Sequence, residues 1–143
     1  MPSVKIVQTE RPNARQFMEK ALEFCAAARQ QLDMERYDAA LLLAVHAGIS
    51  GADAACIGLG GRRSADPDHL RAADLLAATG RNAPAFVEQA NKLRALIGQK
   101  NRVEYEDKRA TVKDARDAVA RCERLVTWAR EELIKARLVG AAL

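Results

Sequence analysis

Two stretches of this chain carry side chains whose types and spacing could do chemistry. In the first, His46, Ser50 and Asp53 recur at i, i+4 and i+7, which lines three polar groups along one face of a helix. The inventory is that of a serine hydrolase, but successive turns of one helix do not aim a hydroxyl, its base and an orienting acid at one another. The strip is instead expected to be a buried polar seam, satisfied by partners on a later helix or the connector after it. Asp53 and His46 remain candidates for lining a binding site. The second stretch is Lys100, Asn101, Arg102, Glu104, Tyr105, Glu106 and Asp107. Cations beside an aromatic ring suit a phosphate and a base, and they suit an acidic protein partner equally. The plainer reading is a solvated connector in which acids and bases balance.

Other chemistries find little support. The two histidines, His46 and His69, have no Glu-x-x-His or Cys-x-x-Cys around them, so neither a metal centre nor another cofactor is expected. The glycines of 58 to 61 follow no strand and precede no Lys-Ser or Lys-Thr, which argues against a phosphate-cradling loop. Cys25, Cys56 and Cys122 are scattered among apolar residues at helical spacing and read as reduced core residues.

The elements that must position these groups are helical. A chain of 143 residues is long enough to bury one core without staples. Only 4% of it is aromatic, so that core must be built from Ala, Leu, Val and Ile, which favours closely packed helices. The formal net charge of +4 permits nucleic-acid contact without demanding it. No leader is apparent and no run approaches the roughly 20 apolar residues of a membrane helix, so a cytoplasmic address without membrane attachment is expected.

Residues 1–12 read as a flexible tail and 13–143 as the helical domain. Asn13 is the expected cap of a first helix whose apolar face runs through Phe17, Ala21, Phe24, Ala28 and Leu32. A second helix, from about Tyr37 to Ile57, is apolar nearly all round and belongs at the centre. Its Gly48 and Gly51 each cost about 1 kcal/mol against alanine, which predicts close approach by a neighbouring helix or subunit. Asp66 and Pro67 open a third helix, and Phe86, Ala90, Leu93 and Ile97 mark a fourth. Gly98 to Ala110 is a charged connector, and Thr111 with Asp114 opens the last helix through a capping-box variant. No stretch alternates convincingly, so no sheet is expected.

The run Tyr-Asp-Ala-Ala-Leu-Leu-Leu-Ala-Val-His-Ala-Gly-Ile-Ser-Gly-Ala-Asp-Ala, 37–54, resembles the corresponding helix of HEPN domains. So does Leu-Arg-Ala-Leu-Ile-Gly-Gln-Lys-Asn-Arg-Val-Glu-Tyr-Glu-Asp, 93–107, placed between the last two helices. The resemblance spans residues 13 to 138 and implies an all-α, up-and-down bundle of four to five helices that often dimerises. In many members it also implies a metal-independent ribonuclease, whose motif is arginine, a polar residue, a few residues and then histidine.

In that motif Lys100 stands where the arginine would be, Asn101 is the polar neighbour, and Tyr105 stands where the histidine would be. Lysine lacks the planar fork that grips phosphate in two places. Tyrosine, with a reference pKa near 10 against about 6.5 for histidine, is a poor general base at neutral pH. The favoured reading is therefore a homodimeric domain that binds RNA, a nucleotide or a protein through Lys100, Asn101, Arg102, Glu104 and Tyr105. The alternatives are a toxin-like ribonuclease, using Lys100 and Tyr105 and held in check by a cognate antitoxin-like protein, or a structural assembly bundle. The catalytic reading needs Lys100 and Tyr105 in one solvent-reachable pocket.

Overall fold

The most apolar stretch of the chain becomes its central helix. The computed structural model describes residues 5–143, in which the helices are α1 (Ala14–Asp33), α2 (Tyr37–Gly60), α3 (Leu70–Thr79), α4 (Pro84–Tyr105) and α5 (Val112–Lys135). α2 packs against all four of the others. By length and composition α2 could cross a membrane, contrary to the expectation that no such run exists, but 72% of its most apolar window is buried inside the bundle. It is the core helix.

The small residues of α2 set how near its neighbours come. A Cβ added at Gly48 would sit 2.7 Å from Leu96 Cδ1 of α4, and one at Gly51 would sit 3.3 Å from Val126 Cγ2 of α5. The glycine face expected to meet a helix or a subunit is thus closed by α4 and α5 of the same chain. Near one edge the Phe86 and Trp128 rings meet edge to face at 4.9 Å, joining α4 to α5.

Several local expectations change. Ile6–Gln8 (β1) pairs antiparallel with Arg62–Ser64 (β2), Val7 lying opposite Arg63. Thr9 N–H donates to the Gly61 carbonyl at 2.9 Å, and the Arg11 Nε–H donates to that of Gly58 at 2.6 Å. The flexible tail and the absence of any sheet are therefore corrected for residues 5–12, while the rest of the expected tail, 1–4, lies outside the described residues. Three-residue strands are too short to display an alternation, and their partners are distant in sequence. Gly61, at φ +67°, makes the left-handed stop of α2 that lets β2 turn back.

Asn13 does not cap α1, because a 3-10 turn over Arg11–Asn13 runs into the helix and already holds Asn13 in helical geometry. α3 begins at Leu70 rather than Pro67. The Asp66 carboxylate accepts from Asp68 N–H at 2.9 Å, and that of Asp68 accepts from Leu70 N–H at 3.0 Å, so side-chain turns displace the first helical turn. The Thr111–Asp114 capping box forms reciprocally, at 3.0 and 3.2 Å. The connector is shorter than expected, since α4 continues to Tyr105. Lys, Arg and Glu are good helix formers, and a Lys100–Glu104 pair at i, i+4 supports this last stretch.

Two glycines separate close packing from simple backbone cost. Gly48→Val should destabilise the fold by about 1–3 kcal/mol through overpacking against Leu96. Gly98 has nothing within 4 Å of an added Cβ, so Gly98→Ala should stabilise by about 0.5–1 kcal/mol. Urea unfolding of both variants checks the two signs.

Candidate functional site

The carboxyl end of α4 lies against the first turns of α2. Lys100 Nζ stands 3.3 Å from Glu104 Oε2, and the two rim a cleft of about 170 Å³ whose floor is Leu41, Leu42 and Val103. Asp38 closes one end. Its carboxylate accepts from the Ala110 backbone N–H at 2.7 Å and from Arg109 Nε–H at 2.9 Å, and these two bonds hold its pKa below the usual carboxylate value. Arg102 meets Asp114 at 3.2 Å, and Lys108 meets Glu106 at 3.6 Å. Every cation between positions 100 and 109 thus has an acidic partner. The charge balance expected of a connector holds, but half of it is displayed on a helix.

Gln99 was not singled out in the sequence, yet it fixes this end in place. Its Nε2–H donates to the Asp114 carbonyl at 3.1 Å, while its Oε1 accepts from Arg121 at 2.9 Å. Only 8% of Gln99 is exposed. The available signal was its position three residues after Leu96 on the inward face.

Lys100 and Tyr105 do not share a pocket within one chain. Five helical positions separate them by about 140° around the axis. Lys100 turns toward α2, whereas Tyr105 is 79% exposed. Tyr105 makes no side-chain hydrogen bond among the described residues. Asn101 and Arg102 are exposed with it, and their i+4 and i+3 spacing to Tyr105 places all three on the solvent side. The motif is therefore split into a paired Lys100–Glu104 cleft and an open Asn101–Arg102–Tyr105 face.

The strip on α2 is also divided. His46 is exposed, with its ring 6.0 Å from that of Phe24. Partial burial, then the nearby charges of Lys100 and His69, lower its pKa. Asp53 finds no partner on α4 or the connector. It opens into a separate cleft of about 330 Å³ with Arg63, Ser64, Asp66 and His69 from β2 and the turn before α3. Burial raises its pKa from 3.8 to about 7, against the opposing charges of Arg63 and Lys20. Those two cations both lie over the Phe17 ring, at 5.5 and 5.0 Å. The expected seam bonded to α4 is thus replaced by two clefts at either end of one α2 face, with His46 between them. No cluster of three or more His, Cys, Asp or Glu able to hold a metal occurs among the described residues.

An all-α bundle with a polar helix end beside its central helix is the class defined by this arrangement. The HEPN domain family model matches residues 14–133, and the chain belongs to that family. Comparisons with curated proteins and with solved structures found no match.

Asp53 gives this region a pH signature. The folded chain retains its proton up to about pH 7, whereas an unfolded aspartate loses it near pH 4. Stability therefore falls as pH rises through that window, by up to about 4 kcal/mol for the full shift. Asp53→Asn should match the wild type near pH 4 and exceed it in melting temperature near pH 8. Parallel melting curves across the range check the divergence.

Proposed function

We propose that this HEPN domain is a homodimeric binding module that does not cleave RNA. The observation that carries the reading is the division of the motif. Lys100 faces α2 and is paired with Glu104, while the Tyr105 phenol stands on the far side of α4 in solvent. Within a single chain Lys100 and the Tyr105 phenol, which stand where the family's arginine and histidine would be, do not reach one phosphodiester together, as that mechanism of RNA cleavage requires.

Binding asks less of this geometry. Exposed Arg and Tyr side by side offer a guanidinium and a flat ring, on which a base can stack or a partner protein can anchor. The ion pairs of the surrounding surface are worth about 0–1 kcal/mol each, so a phosphate or a partner's acid can exchange into them at small cost. A two-fold axis beside the α4–α5 junction would set the Asn101–Arg102–Tyr105 faces of two copies next to one another. A cytoplasmic address belongs to the same proposal. It is supported by the burial of α2 and by the three free cysteines.

Incubation of the protein with a labelled single-stranded RNA pool should give no cleavage above the buffer control. Binding should weaken with salt. Tyr105→Ala should lower affinity about tenfold through lost stacking, while Tyr105→Phe leaves it nearly unchanged. Cleavage abolished by both Lys100→Ala and Tyr105→Phe would establish the toxin-like nuclease instead, and absence of RNA binding even at low salt would leave a protein partner. Light scattering on a sizing column should return the mass of two chains.

A further inference from the structure

The thiols of Cys25 and Cys122, 97 positions apart in the chain, lie 3.8 Å from each other where α1 packs on α5. All three cysteines are free, but only the fold brings two of them into contact. We propose that this pair is a site of oxidative modification, at which a hydroperoxide oxidises Cys25 and Cys122 then closes a disulfide between α1 and α5.

The two sulfurs are not equivalent. Cys25 is only half-buried, at the edge of the bundle, whereas Cys122 is wholly buried, its one S–H able to donate either to the Val119 carbonyl at 3.3 Å or to the Cys25 sulfur. The hydrogen bond with Cys122, helped by Arg29 one turn along α1, lowers the Cys25 pKa against the effects of burial and Glu123. The same contact and its burial push Cys122 upward. Cys25, the sulfur that solvent can reach, is therefore the nucleophile, and the wholly buried Cys122 is the resolving thiol. Arg29 is held in place by Glu123 of α5 at 3.1 Å from its Nε. Cys56 serves as an internal contrast, since burial in the core raises its thiol to about 12.

The chemistry balances without further reactants. The Cys25 thiolate attacks one peroxide oxygen, the O–O bond breaks, and the departing oxygen takes a proton to leave as water or an alcohol. Cys25 is then a sulfenic acid. The Cys122 sulfur attacks it, the S–S bond forms as the S–O bond breaks, and the hydroxyl leaves as water with the Cys122 proton. Two thiols lose two electrons in total, and the peroxide gains them. The sulfurs need to approach by roughly 2 Å to reach bonding distance, within the reach of side-chain rotation and a small shift of packed helices.

The wild-type chain treated with a modest excess of hydrogen peroxide, then alkylated and mapped by mass spectrometry, tests the proposal. A linked peptide joining Cys25 to Cys122 is expected, with Cys56 alkylated only after denaturation. The melting temperature should rise by several degrees, because the link closes most of the chain into a loop, and a dithiol should reverse the rise. In Cys122→Ser, a 1,3-dicarbonyl probe should trap the Cys25 sulfenic acid. Cys25 and Cys122 both recovered as free thiols under peroxide that consumes a small-molecule thiol would overturn the proposal. A link to Cys56, or one joining two chains through Cys25, would do so equally.

Discussion

Close approach to α2 is the constraint from which the other packing follows. A core with few aromatic side chains has to gain its stability from many small contacts, each about 0.1–0.2 kcal/mol per atom pair. Such contacts accumulate only if backbones come near one another. Alanine and glycine along α2 allow this, and Leu96, Val126 and Leu133 fill the space that larger side chains would occupy. Each leucine so buried contributes about 1.5–3 kcal/mol, more than the roughly 1 kcal/mol a mid-helix glycine costs. With α2 enclosed on most sides, one narrow face remains open, and the polar residues of the helix lie there.

That open face organises the candidate site. Its first end meets α4 at Lys100 and Glu104, and its other end meets β2 and the turn before α3 at Arg63 and His69. The short ribbon has a clear consequence here. By pairing Ile6–Gln8 with Arg62–Ser64, it fixes the direction in which the chain leaves α2 and so holds Arg63 over Phe17 and near Asp53. At the α4 end the anchoring is done by Gln99 and Asp38, which tie the helix and its following loop to α5 and α2. Both ends are held by hydrogen bonds to backbone groups as well as by charge, so their shapes depend little on ionic strength.

Charge is distributed so that attraction stays local. The cations of the α4 end are matched by acids within one or two turns or across to α2 and α5, leaving no extended basic field to draw a polyanion from a distance. Membership of the HEPN family over residues 14–133 thus comes with a helix end at which an aromatic ring and a guanidinium stand exposed. Asp53 and the Cys25–Cys122 contact are different in kind. They are groups whose protonation is shifted by the bundle itself, through burial in one case and a sulfur–sulfur hydrogen bond in the other.

The sequence by itself determined the parts governed by short-range free energies. The periodicity of Phe86, Ala90, Leu93 and Ile97, the all-round apolarity of residues 39 to 57 and the Thr111–Asp114 box depend on neighbours within a turn or two. They were legible as helices, as a central helix and as a cap. The family followed from residues 37–54 and 93–107 for the same reason, since the order of side chains along a helix is preserved in the order of the text. Tertiary structure alone decided which of those faces meet. It paired β1 with β2 and closed Lys100 against α2 while leaving Tyr105 in solvent. It also sent Asp53 toward Arg63 rather than α4 and set Cys25 against Cys122. Each of these rests on contacts between residues far apart in the chain, whose energy appears only after the intervening chain has closed on itself.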